Sequence, residues 1–133
     1  MDQIEELLTR RVQTITPSKE ALEKTLRSSK KLRLYMGFDP SKPDLHIGHL
    51  VGLLQLKLFQ NLGHEVIFLI GDFTAMIGDP TDKTAARTKL TREQVLANAQ
   101  TYKDQAGKIL SFSGNNPAIM KFNSEWLDKL NFA

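Results

Sequence analysis

His46-Ile47-Gly48-His49 lies eight residues beyond the apolar run that ends at Phe38 and opens a leucine-rich stretch. Its setting decides the fold. Residues 32–38, Leu-Arg-Leu-Tyr-Met-Gly-Phe, are short and mostly apolar, as suits a buried strand, and Asp39-Pro40-Ser41-Lys42-Pro43 forbids regular structure directly after it. From 46 to 62 the apolar residues Ile47, Leu50, Val51, Leu53, Leu54, Leu58 and Leu62 recur at steps of three and four, and further leucines widen the stripe, which predicts a buried helix. Histidines at i and i+3 share a face. The first turn of a helix also leaves backbone N–H groups unpaired, so this end should present partial positive charge between two imidazoles at a sheet rim. An anion belongs there.

Gly48 and Gly52 each cost roughly 1 kcal/mol of helix stability relative to alanine, which predicts that a ligand must approach that backbone closely. We read that ligand as ATP. The bland alternative is a pair of ordinary helix-terminal histidines. A metal site fits less well, because zinc takes three or four protein ligands and the chain has no cysteine and only one other histidine, His64. His64 sits in the turn Asn61-Leu62-Gly63-His64-Glu65 and is assigned no function.

Outward from this unit, the pattern predicts helices over 3–11 and 19–27, the second capped by Ser18. A second strand over 66–70, Val-Ile-Phe-Leu-Ile, reads as a parallel strand covered on both faces. A loop over 71–88, a helix over 92–110 capped by Thr91, a strand over 118–122 and a short helix capped by Ser124 complete the order. The expected fold class is α/β: β-α-β-α-β with right-handed crossovers, the first half of a Rossmann-like doubly wound parallel sheet, preceded by N-terminal helices. Residues 1–30 are expected as a helical segment and 31–133 as a partial Rossmann-like domain. The free edge of the third strand is a route to self-association.

The loop after the second strand holds the second set of chemical residues. Gly78-Asp79-Pro80 sets a turn that can aim the Asp79 carboxylate inward, where a substrate ammonium suits it. Lys83, Arg87, Lys89 and Arg92 follow, as cations that could reach a pyrophosphate or an RNA backbone, or as a solvated basic loop.

Composition excludes little beyond this. The chain has 133 residues, 41% hydrophobic and 25% charged, with a formal charge of +3, enough for one ordinary core and compatible with a polyanionic partner. Without cysteine there is no disulfide framework or thiol chemistry. The acidic start and the shortness of the longest apolar run, 66–70, argue against a secretory leader or a membrane span, so a cytoplasmic protein with no membrane partner is expected.

Tyr35-Met36-Gly37-Phe38-Asp39-Pro40, Asp44-Leu45-His46-Ile47-Gly48-His49, Gly63-His64-Glu65-Val66 and Ile77-Gly78-Asp79-Pro80-Thr81 together closely resemble the amino-terminal part of bacterial tyrosyl-tRNA synthetases, class I enzymes of the HUP type. The resemblance runs from about residue 32 to the end. It implies that ATP, with Mg2+, activates tyrosine to tyrosyl-adenylate, and that the tyrosyl group then passes to tRNA(Tyr), with no protein-bound metal or organic cofactor. It implies that His46 and Ser41 meet the leaving phosphates, His49 the ribose and nearby phosphate, and that Gly48 admits the adenine. Gly37 and Asp39 would line the adenylate, Tyr35 would bond the substrate phenol, Asp79 would hold the tyrosine ammonium, and Lys83 and Arg87 would close on pyrophosphate. Met36 and Gly52 stand where some relatives carry cysteine and threonine, so neither offers a side-chain hydrogen bond to ribose.

Family members run several times longer, with a second half-sheet, a Lys-Met-Ser-Lys-Ser-type loop and an anticodon-binding part. The chain is therefore expected to be a fragment, inactive or nearly so by itself, of a protein that is a homodimer at full length. The alternatives are another nucleotidyltransferase with the same signature (a tryptophanyl-tRNA synthetase or a small adenylyltransferase) and a nucleotide-binding module without catalysis.

Overall fold

A computed structural model describes residues 2–77 and 89–130. Its first elements are α1 (Gln3–Thr9) and α2 (Lys19–Leu26), the latter started by the Ser18 hydroxyl, which accepts the Ala21 N–H at 3.2 Å. Leu7, Leu8 and Leu26 form a small apolar cluster with Leu58 of the next helix and Leu62 just after its end.

β1 (Arg33–Phe38), β2 (Glu65–Ile70) and β3 (Ile119–Phe122) form a parallel sheet in the order β1-β2-β3. The register pairs Met36 with Phe68 and Phe68 with Met120, and Phe38 with Ile70 and Ile70 with Phe122. Because side chains alternate, Leu34, Met36 and Phe38 line one face with Val66, Phe68 and Ile70. That face carries the main core, closed by Leu53 and Leu56 of α3 (Ile47–Asn61) and by Ala99, Tyr102 and Ala106 of α5 (Arg92–Ala106). α3 connects β1 to its parallel neighbour β2, and α5 lies between β2 and its parallel neighbour β3 in the chain. At the end of α3, Gly63 takes φ +86°, which lets its N–H reach Gln60 O at 3.0 Å and the His64 N–H reach Phe59 O at 3.1 Å. The Phe59 carbonyl is thereby satisfied, Gln60 O also taking the Asn116 side-chain amide at 3.0 Å, and the chain turns into β2.

Four expectations change. Residues 71–77 are not all loop: α4 (Asp72–Ile77) follows β2 at once, too short to announce itself by periodicity. The helix expected over 92–110 ends at Ala106, beyond which Gly107 opens a turn. Ser124 does not cap α6 (Ser124–Leu127) but lies inside it, because its hydroxyl donates to Asp72 Oδ2 at 2.6 Å. Finally, α3 is buried only from Leu53 onward: Ile47 is 82% exposed, and Leu50 and Val51 stand outside the core beside it. Among the described residues the sheet also has two free edges, β1 as well as β3.

Candidate active site

The carboxyl ends of the three strands and the amino end of α3 converge on one rim. There the two histidines of the signature cap their own helix. His46 is the residue before the first helical turn, and its Nδ1 accepts the Gly48 N–H at 3.1 Å. The His46 N–H in turn donates to Nδ1 of His49, also at 3.1 Å. This is a capping box built from imidazoles in place of the usual hydroxyl and carboxyl. The rings lie 3.9 Å apart between centroids, tilted by 31°. An Nδ1 that accepts carries no proton, so the geometry assigns both rings the Nε2–H form, each with an N–H that has no acceptor among the described residues. Burial, and then neighbouring His46, holds the His49 imidazole below the usual histidine range. His49 also packs on Phe38 at 5.7 Å and Tyr102 at 6.3 Å between centroids.

Gly48 has a local reason to be glycine. A Cβ there would meet Cε1 of His46 at 2.9 Å and Nδ1 at 3.0 Å, so the His46 ring can fold back only over a residue without a side chain. At Gly52 a Cβ would run into the thioether end of Met36. Each glycine thus has a side chain of this protein as a close neighbour.

The segment from Asp39 to Leu45 is held from outside by α5, which the sequence reading missed. Asn98 Nδ2 donates to Pro40 O at 2.9 Å, Thr101 Oγ1 donates to Pro43 O, and Gln105 bonds both Pro43 O and the Leu45 N–H at 2.9 Å. Residues 98, 101 and 105 fall at i, i+3 and i+7, one stripe beside the buried stripe of Val95, Ala99, Tyr102 and Ala106. That polar stripe is the signal from which they could have been found.

At the ends of the strands, Thr74 Oγ1 donates to Asp39 Oδ1 at 2.7 Å, and Asn123 Nδ2 donates to Thr74 Oγ1 at 3.0 Å. Buried Asp72 accepts the Ser124 N–H at 3.0 Å as well as its hydroxyl. Arg92 lies 3.8 Å from Asp72 and 3.4 Å from Asp128, so it is engaged within the fold rather than spare for a phosphate.

The structure brings His46, Gly48 and His49 onto one turn, with Ser41 in the preceding segment, where its N–H reaches Asp39 O at 2.8 Å. Gly37 and Tyr35 fall on the sheet face opposite α3 and α5, Tyr35 being 68% exposed, away from the histidine rings. Asp79, Lys83 and Arg87 lie outside the described residues. Among the described residues no group of three or more His, Asp or Glu could hold a metal ion, and no helix is long and apolar enough to cross a membrane.

Comparison with known proteins shows what the chain is similar to. The chain is 53% identical over 133 residues to tyrosine--tRNA ligase of Carboxydothermus hydrogenoformans, spanning 96% of the chain and 31% of that protein. It is 50% identical to the Shewanella oneidensis tyrosine--tRNA ligase, spanning 100% of the chain and 32% of the relative. It thus spans about a third of their length. Its fold matches a C-terminally truncated Aspergillus nidulans mitochondrial tyrosyl-tRNA synthetase with TM-score 0.76 at 22% identity, over 99% of this chain and 40% of that one. A tyrosyl-tRNA synthetase from Archaeoglobus fulgidus, solved with L-tyrosine, matches with TM-score 0.71 at 26% identity, over 95% of this chain and 36% of that one. A half Rossmann-like sheet with a histidine-capped helix at its rim, matched over residues 27–133 by the family model for tRNA synthetases class I (W and Y), places the chain in that family.

Proposed function

We propose that this chain forms the ATP- and tyrosine-facing half of a cytoplasmic tyrosine--tRNA ligase, with residues 1–30 as a helical segment and 31–133 as a partial catalytic domain. One observation carries the reading: two neutral imidazoles, each with a spare Nε2–H, stand at the amino end of α3 in a chain about half identical to tyrosine--tRNA ligases. In the reaction, a tyrosine carboxylate oxygen attacks the α-phosphorus of Mg2+-bound ATP. The bond from that phosphorus to the bridging oxygen breaks, and its electron pair leaves with pyrophosphate. Charge grows on the departing phosphates, where the Nε2–H groups of His46 and His49 and the partial positive end of α3 stabilise it; His49 also meets the ribose. Nothing on the protein becomes covalently attached, so catalysis is alignment and charge stabilisation.

Ser41 adds a donor to the leaving phosphates, Gly48 admits the adenine, and Gly37 and Asp39 line the adenylate. Tyr35 bonds the substrate phenol and Asp79 the ammonium, while Lys83 and Arg87 close on pyrophosphate. The tyrosyl group then passes to tRNA(Tyr) in a full-length homodimer. Calorimetric titration with a tyrosyl-adenylate analogue carrying a sulfamate in place of the phosphate tests the half-site. Saturable binding that ATP competes away is expected. Heat only with pantetheine-like or amide substrates would favour a different nucleotidyltransferase, and no heat with any of them would overturn the reading.

A further inference from the structure

We propose that Thr74 and Asn123 are positioning residues that aim the Asp39 carboxylate at bound aminoacyl-adenylate, in a space that Gly71 keeps open. The inference rests on the reading above, in which Asp39 lines the adenylate. Its geometry stands separately. Asp39 is an exposed residue just past β1, and an aspartate there has no intrinsic reason to hold one rotamer. Here Oδ1 accepts the Thr74 hydroxyl proton at 2.7 Å.

A threonine hydroxyl has one proton and could turn it elsewhere; Gly71 O, at 3.2 Å, competes for it. The shorter contact is to Asp39, and Asn123 anchors the hydroxyl oxygen. Its Nδ2 donates to Thr74 Oγ1 at 3.0 Å and so occupies a lone pair of that oxygen. Asn123 cannot flip to reverse this, because its Oδ1 accepts the Phe73 N–H at 3.0 Å, and its own N–H is fixed to Ile70 O at 2.9 Å. It is also buried. The chain Asn123→Thr74→Asp39 therefore links residues that follow β3, β2 and β1 respectively, and such linked hydrogen bonds reinforce one another.

Gly71 completes the device. A Cβ at that position would overlap Asp39 Oδ1 and Thr74 Oγ1 together, so the carboxylate and the hydroxyl occupy the volume that any other residue would claim. With Oδ1 committed, Asp39 Oδ2 has no partner among the described residues and is the carboxylate oxygen left to accept. A hydrogen-bond donor on the bound adenylate is what such an oxygen selects.

Two measurements test this. In the ligand-free chain the side-chain 13C carboxyl resonance of Asp39 should move in Thr74→Val and return in Thr74→Ser. A resonance unchanged by Thr74→Val overturns the relay whatever the chain binds. In calorimetry with the sulfamate analogue, Thr74→Val and Gly71→Ala should each weaken binding about tenfold, the scale of one hydrogen bond to a charged group, and Thr74→Ser should restore it. In an Asp39→Asn background Thr74→Val should change nothing further, because its effect runs through the carboxylate. An equal loss in both backgrounds overturns the positioning role and makes Thr74 merely structural. Absence of analogue binding by the unaltered chain, with the carboxyl signature intact, overturns the half-site reading instead.

Discussion

His46 and His49 each hold, with Nδ1, a backbone N–H at the start of α3, so the two side chains that face the proposed phosphates also fix the helix end that carries them. Ligand contact and folding thus draw on opposite nitrogens of the same rings.

Substitution separates the two uses. His46→Ala should cost about 1 kcal/mol of stability, the usual value of a helix cap, whereas His46→Asn should keep most of that stability because asparagine is a good capping residue. Neither offers an Nε2–H in the same place, so both should lose analogue affinity. Denaturant midpoints beside calorimetry check the pattern; His46→Asn as destabilised as His46→Ala would remove the cap from the account.

Acid should loosen the protein. Burial and His46 depress His49 from the ordinary 6.5, and burial with Lys31 depresses His64 likewise. A histidine with a lowered folded pKa takes its proton more readily unfolded, so its contribution is complete above 6.5 and is lost as pH falls through the lower, folded value. The urea midpoint should therefore drop between about pH 7.5 and about 5.5, and His49→Gln should remove part of the drop, leaving the share of His64. A midpoint that holds or rises on acidification contradicts this.

Gln105→Ala should destabilise by about 2 kcal/mol, since it removes the partner of the Leu45 N–H and leaves Pro43 O with Thr101 alone. Amide exchange at Leu45 should accelerate well beyond the change in global stability. Protection at Leu45 that merely tracks unfolding would show that α5 does not hold this segment.

Gly52 and Met36 should couple with a change of sign. Gly52→Ala alone gains about 1 kcal/mol of helix propensity but must displace the Met36 thioether, at a typical overpacking cost of about 1–3 kcal/mol, and so should be neutral to destabilising. With Met36→Ala the same change should stabilise by about 1 kcal/mol. Identical effects in both backgrounds would mean that the thioether swings aside freely and that Gly52 serves something else.

What the sequence disclosed was what local chemistry encodes. β1, β2 and the bounds of α3 follow from short apolar runs, proline and the three-and-four spacing, while Ser18 and Thr91 announce their helices because a capping hydroxyl acts within three residues. What stayed hidden depends on partners far along the chain. Gln105 reaches residues 60 and 62 positions away, and Ser124 was misread as a cap because Asp72, 52 residues earlier, claims its hydroxyl. Gly48 and Gly52 were legible as unusual, but the His46 ring and the Met36 thioether that crowd them become visible only in three dimensions. Tyr35 kept its strand but not the buried surroundings that an apolar run implies.

The central claim is that two neutral imidazoles present Nε2–H groups to a nucleotide phosphate. Long-range 1H–15N spectra of the histidine rings near pH 7, recorded with and without the sulfamate adenylate analogue, address it directly. The account predicts unprotonated Nδ1 and protonated Nε2 on both His46 and His49, with both Nε2 resonances moving at saturation. Protonated Nδ1 on either ring, or Nε2 signals that stay fixed while the analogue binds, would contradict it.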